Sequence, residues 1–297
     1  MSESSQLFVG ITTWNSGLLL PLCLDSLKRT APHADVVVLD NESTDETQTI
    51  ARSSGARVVV KRCGQADALN MLAAMSDRPY TVLLHADVVF ISSEWARTVI
   101  ARFAGNVALV SPEDIGCGPY TRPWGKDMPE SSFMCFATRH VERIKVRRWF
   151  RRFRVPYFRN AVDFYGDHVT YNLPGRLAKA GLAWVPMSVH VSEYLDHPYF
   201  VPRLPLTHWA PQMGHLRYGL GNFYSLDGVI THYHNWYDRR IDRTKRFDPE
   251  DTLEIDGGGV PVAYLKAYTD NFMADYREGK VSVPDLSSAR KWRWMDL

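Results

Sequence analysis

Short apolar runs alternate with helix-length amphipathic stretches through the first hundred residues, a pattern that predicts a parallel sheet with crossover helices. The runs LFVGITT (7–13), ADVVVLD (34–40), ARVVVK (56–61) and YTVLLHAD (80–87) read as four strands. Each is nearly continuous in apolar residues, as strands buried on both faces are. Ser43 and Glu46 form an S-x-x-E pattern, which predicts a helix starting there and running toward Ser53. A second helix is expected over 64–75. SSEWARTVIARFAG (92–105) has apolar residues at helical spacing, with Gly105 placed as its stop.

Residues 107–111 and 131–137 read as further strands, separated by the Gly/Pro-rich loop IGCGPYTRPWGKDMP (115–129), which is expected to face substrate. GDHVTYNLPGRLAKAG (166–181) predicts a helix broken or kinked at Pro174–Gly175, and LAWVPMSVHV (182–191) predicts a strand. Beyond residue 203 the chain is rich in Trp, Tyr and His without a clear period. The expected fold class is α/β: a Rossmann-like, mostly parallel sheet with helices on both faces. It spans 1–203, with a nucleotide half over 1–110 and an acceptor half over 111–203, and a C-terminal extension follows over 204–297.

Composition narrows the function classes. At 297 residues the chain can hold one large α/β domain plus an appendage, and its 9 Trp, 14 Tyr and 13 Phe exclude a disordered chain. A net charge of +2 is too small to imply a polyanion partner, so such affinity would have to come from a local patch. Cys23, Cys63, Cys117 and Cys135 are widely spaced and form no C-x-x-C pair, which suits a reducing compartment and suggests neither a zinc site nor a disulfide framework. The polar start MSESSQ lacks the regions of a signal peptide, and no apolar run reaches membrane-spanning length. The expected location is cytoplasmic.

Ligands of an open parallel sheet bind outside the carboxyl ends of its strands. Thr13 and Asn15 follow the first strand, Asp40 and Asn41 the second, and Asp87 the fourth. In VLLHADVVF (82–90) that aspartate sits between two apolar runs, with His85 two positions before it. Several polar strand ends converging on one edge favour a binding site over isolated core acids.

Taken in order, FVGITTWN, VVVLDNESTDET, GQADALNML, HAD, GDH and a late VH resemble the family 2 glycosyltransferases, whose nucleotide-binding fold is called GT-A. The resemblance covers roughly residues 6–195. It implies an inverting transferase that takes a sugar from a nucleoside-diphosphate sugar, a UDP-sugar foremost, with Mn2+ or Mg2+ as cofactor. By it, Asp40 receives the base and ribose, with Thr13, Asn15 and Asn41 lining the same pocket, and Asn70 holds the loop near the diphosphate. Asp45 reads as an early-helix acid that interacts with the helix dipole. The family usually ends its fourth strand in Asp-x-Asp, where the second acid binds the metal. Asp87 matches that acid, while His85 replaces the first and Ala86 lies between them. A hard divalent cation there prefers oxygen ligands and bridges phosphate oxygens; imidazole can still coordinate Mn2+ or hydrogen-bond a ribose hydroxyl, and His85 and Ala86 are counted with the nucleotide-sugar-binding residues.

A third metal ligand is implied at His190, with His232 and His234 as rivals whose i, i+2 spacing would place both on one face of a strand. Asp167 in FYGDHV matches the family's general base, with Asp163 in reserve. The patch KVRRWFRRFR (145–154) precedes it and is either a solvated basic face or a contact to an anionic acceptor, the diphosphate, a membrane surface or nucleic acid. The acceptor is thus a glycan, a lipid-linked glycan, a protein or a modified nucleic acid. KWRWMDL (291–297) is a candidate lid or homodimer contact. Two other classes stay open: a non-catalytic nucleotide- or carbohydrate-binding module, kept alive by His85, and a nucleic-acid-binding protein acting through 145–154. A sugar nucleotidyltransferase needs a basic, glycine-rich loop after the first strand, and TTWNSGLLL lacks one.

Overall fold

The computed structural model describes residues 2–113, 129–143, 169–170, 173–190, 217–218, 221–235, 246, 248, 251–255 and 258–288. In chain order the strands and α-helices are β1 (Leu7–Thr13), α1 (Leu20–Thr30), β2 (Asp35–Asp40), α2 (Thr47–Ser53), β3 (Arg57–Val60), α3 (Gln65–Met75), β4 (Tyr80–His85), β5 (Val88–Phe90) and α4 (Trp95–Ile100). They continue as β6 (Val107–Pro112), β7 (Phe133–Ala137), α5 (Thr138–Arg143), α6 (Leu173–Lys179), β8 (Ala183–His190), β9 (Asn222–Leu226), β10 (Val229–His234), β11 (Thr252–Ile255), β12 (Gly258–Pro261) and α7 (Val262–Arg277).

Ten strands form one sheet in the order β3-β2-β1-β4-β7-β6-β8-β9-β10-β5, and β11 and β12 make a separate pair. The first four are mutually parallel, as the alternation of runs and helices predicts. β7 enters antiparallel between β4 and β6, β8 is parallel to β6, and β9, β10 and β5 complete the sheet antiparallel. Strand alternation feeds two cores. Leu7, Val9, Ile11, Val82 and Leu84 pack on one face with α1 and α4, while Phe8, Val37, Leu39 and Leu83 pack on the other with α3 and α6. On that second face a Cβ on Gly10 would lie 2.9 Å from Leu72 Cβ, so glycine is what lets α3 sit directly on β1.

Several sequence expectations are corrected. The helix after β2 begins at Thr47, because Ser43 Oγ is turned back to Asp40 and the S-x-x-E pattern does not cap. Pro174 and Gly175 do not break α6; they lie in its first turn, where a proline costs no hydrogen bond. The helix expected over 92–105 is regular only for Trp95–Ile100, though Gly105 does take a left-handed conformation (φ 59°) past its end. The fourth strand, expected over 80–87, ends at His85. A turn at Ala86–Asp87 separates β4 from β5, and β5 joins the opposite end of the sheet order, beside β10. Strands drawn from beyond residue 203 are therefore part of the main sheet.

Candidate active site

The turn that carries Asp87 ties the end of β4 to the edge strand β5. β5 pairs with β10 through Val88 and His234, which fixes the chain after β10 next to the turn. The Asn235 amide then donates to the Asp87 carbonyl at 3.1 Å. This ladder puts His234 against Asp87. Nε2 of His234 lies 3.3 Å from Asp87 Oδ1, and its Nδ1 lies 3.2 Å from Glu130 Oε1. Both contacts are charge-assisted, with the imidazole lying between two carboxylates. Burial works against a charge on this imidazole, but Asp87 and Glu130 outweigh it and raise the pKa from 6.5 to about 9. Glu130 is itself held by the Tyr224 hydroxyl, which donates to Oε2 at 2.6 Å.

His85 ends β4 on the face of Leu83, toward α3, where the Gln65 amide hydrogen-bonds its Nε2 at 2.7 Å and Ser131 Oγ lies 3.4 Å away. His85, Asp87 and His234 are all buried, and one ligand-type atom from each lies within 4.8 Å of the others. Beside them a cavity of about 210 Å³ opens at the carboxyl ends of β1, β2 and β4, where an open sheet is expected to bind. Thr13, Asn15, Asn41, His85, Ala86 and Asp87 line it, as does Trp14, whose ring is 59% exposed at the rim.

Asp40 lies behind this wall. It is fully buried, and its carboxylate accepts bonds from Thr13 Oγ1 (3.0 Å), the Ser43 amide (2.9 Å), Gln48 Nε2 (2.8 Å) and Ser43 Oγ. It fixes the loop 41–48 instead of presenting an oxygen to the cavity. Asn15, left-handed at φ 47° as asparagine tolerates, accepts from the Thr44 amide and donates its own amide to Ser43 Oγ. Asn41 accepts from the Cys63 amide at 2.8 Å. Asp45 bonds the amides of Gly17 and Thr47, a local role at the start of α2. Asn70 sits midway along α3 and is not among the lining residues.

His190 does not join the cluster. It pairs with Phe223, and Phe223 pairs with Tyr233, so His190 shares the face of Tyr233, opposite His234. Its Nε2 bonds Ser225 Oγ at 2.8 Å, and burial lowers its pKa despite the opposing pull of Asp285. His232 does share a face with His234, but it is stacked between Phe133 (4.8 Å) and Tyr224 (4.6 Å). Burial, and then the charge of His234, holds it neutral, with a pKa well below 6.5. Asp163, Asp167, the patch 145–154 and the segment 291–297 lie outside the described residues. Sequence reading missed Glu130, Gln65 and Trp14. Trp14 alone had a local signal, an aromatic in the turn after β1.

The model of the family described as glycosyl transferase family 2 matches residues 8–165. The chain belongs to this family. The fold of this family 2 member is α/β, a large mixed sheet with helices on both faces. No curated protein matches the chain. Among solved structures it is similar to the mannosyltransferase PcManGT from Pyrobaculum calidifontis in complex with GDP-Man and Mn2+, at 18% identity and TM-score 0.44, over 61% of this chain and 54% of that one. It is also similar to glucosyl-3-phosphoglycerate synthase from Mycobacterium tuberculosis in complex with UDP, at 19% identity and TM-score 0.46, over 62% of this chain and 72% of that one. Among the described residues, no helix is long and apolar enough to cross a membrane.

Proposed function

We propose that this family 2 chain is an inverting glycosyltransferase using a nucleoside-diphosphate sugar, a UDP-sugar foremost, and a divalent cation. The observation that carries this reading is the meeting of a cavity at the strand ends with a buried His–Asp–His cluster. The donor set fits an ion. Two ligands at right angles, each about 2.1 Å from a metal, are about 3 Å apart, near the 3.3 Å between Asp87 Oδ1 and His234 Nε2.

In this reading Asp87, His85 and His234 hold the cation, which when bound neutralises charge on the departing diphosphate. Thr13, Asn15 and Asn41 wall the nucleotide, and Asp40 acts on it through the loop that it fixes. Trp14 offers its exposed ring to the base. Asp167 is the proposed base, taking the proton of the acceptor nucleophile as that atom attacks the anomeric carbon opposite the diphosphate, with Asp163 in reserve. The acceptor is a glycan, a lipid-linked glycan, a protein or a modified nucleic acid, and the site of action is cytoplasmic.

The test is a panel of nucleotide-sugars assayed with Mn2+ and Mg2+ for binding and for slow release of free sugar. Release should vanish in Asp87→Ala. Asp167→Asn should keep donor affinity and lose turnover by orders of magnitude. Donor binding without any turnover would instead mark a non-catalytic module, and unchanged turnover in Asp167→Asn would remove that residue as the base.

A further inference from the structure

The cluster has an unusual donor set for an ion that must sit against phosphates. Mg2+ demands oxygen ligands and is ordinarily held by carboxylates, waters and substrate phosphates. Here one of the three side chains offers oxygen, Asp87, and two offer imidazole nitrogen, His85 and His234. Imidazole is a borderline donor that suits first-row transition metals, and a set of two nitrogens and one oxygen favours them over Mg2+.

Both rings are also restrained from outside. Gln65 and Ser131 meet Nε2 of His85, and Glu130, anchored by Tyr224, stands against Nδ1 of His234. Outer partners of this kind fix ring orientation and keep the nitrogens as ligands. All three residues are buried, at 8%, 7% and 4% exposure for His85, Asp87 and His234, so bulk water does not readily replace an imidazole. Swinging either ring out of the cluster would break a buried contact.

We infer that this site selects a transition-metal cation such as Mn2+ or Co2+ over Mg2+, and that His85 is the residue that sets the choice. The inference rests on the metal-centre reading above and deepens it. His85 is decisive because it and Asp87 bracket Ala86 at the short turn after β4 and reach the cluster together, so a change of donor there alters the ligation next to the one carboxylate. An aspartate there would supply a second carboxylate beside Asp87 and return the site to mostly oxygen ligation.

The experiment uses the full chain, stripped of metal by a chelator and titrated with Mn2+ while the spin resonance of free Mn2+ is followed. Competitors are then added. Co2+ should displace Mn2+ at comparable concentrations, whereas Mg2+ should need an excess on the order of 100-fold. In His85→Asp that excess should fall to about tenfold or less. A second readout needs no variant: the electron spin echo of Mn2+ bound to the unmodified protein should carry imidazole nitrogen couplings. Mg2+ displacing Mn2+ at equal concentration, an unchanged ratio in His85→Asp, or absent nitrogen couplings would overturn the selectivity while leaving a metal-dependent transferase intact. If no Mn2+ binds, with or without UDP, the metal centre and the inference fall together, and Asp87–His234 is a plain ion pair.

Discussion

Glu130 stands against the ring nitrogen of His234 that faces away from Asp87, so its substitution tests the part played by ring orientation. Its Oε1 lies 3.2 Å from His234 Nδ1, and its Oε2 takes the Tyr224 hydroxyl at 2.6 Å. Glu130→Gln keeps the volume and lets the amide face Tyr224, while removing the charge that holds the imidazole. Loss of an outer partner of a metal-bound histidine costs about 10- to 100-fold in metal affinity. With Mn2+ at about 100 times its Kd, binding stabilises the fold by about 2.7 kcal/mol, and a thirtyfold weaker site retains about 0.9 kcal/mol. For a chain of this size about 1 kcal/mol moves Tm by about 2 °C, so the Mn2+-induced shift should fall from about 5 °C to about 2 °C. Melting curves with and without Mn2+ read this directly. Glu130→Ala should in addition lower the metal-free Tm, because the buried Tyr224 hydroxyl loses its acceptor at a cost of about 1–3 kcal/mol. If the Gln variant binds Mn2+ within twofold of the unmodified chain, Glu130 does not position His234.

The rival histidines separate cleanly: His234→Asn should weaken Mn2+ binding at least about tenfold, while His190→Asn should leave it unchanged and lower Tm, since Ser225 loses its partner at about 1–3 kcal/mol. Equal loss of Mn2+ binding in both would refute the assignment of faces. Trp14→Ala should weaken UDP binding by about 1–3 kcal/mol, the worth of one base–aromatic stack, as measured by calorimetry; unchanged affinity would place the base elsewhere. Asp275 has its pKa lowered by the bonds of Arg217 and then Tyr218, against the opposing effect of burial. A depressed folded pKa gives stability that is present above the unfolded value and lost as pH falls through the folded one. Urea midpoints measured from pH 5 down to pH 2 should therefore fall more steeply for the unmodified chain than for Asp275→Asn, and parallel curves would remove Asp275 from the acid response.

Period and composition were enough for the parallel half, because β1, β2 and β4 are largely buried by helices that the intervening stretches specify; β3, read as buried on both faces, is instead the half-exposed edge strand, with Arg57 and Val60 open to solvent. Asp87 was legible for the same reason: the rule of strand ends needs no partner residue. What failed depended on registers formed far along the chain. His190 and His234 look alike in sequence, each at the end of an apolar run, and which one reaches Asp87 is set by the pairing of β8 with β9 and of β10 with β5. A shift of one residue in either ladder would exchange their faces. Asp40 was legible as a polar strand end but not as a loop anchor, since that role comes from Ser43 and Gln48 turning back toward it. Glu130 carried no local signal at all. It closes a Gly/Pro-rich loop and reaches the site because its amide bonds the Pro112 carbonyl at the end of β6.

The stretch beyond residue 203 has a mechanical part in this arrangement. The family match ends at residue 165, yet β9 and β10 fill the gap in the sheet between β8 and β5. Tyr224 and Leu226 belong to the core that holds β1 and β4, and on the opposite face Phe223 and Tyr233 pack with Leu19, Leu22, Phe272 and Tyr276. Asp87 is thus held from two directions, by β4 through the short turn and by β10 through the ladder of β5. Without the hairpin, β5 would be an edge of three residues with no partner, too short to be stable alone. The turn would then lose the pairing that fixes its geometry, and the cluster would lose His234. The hairpin supplies a donor atom and the restraint that makes the other donors converge, and this is why the metal-binding geometry proposed here belongs to the chain as a whole and not to its first two hundred residues.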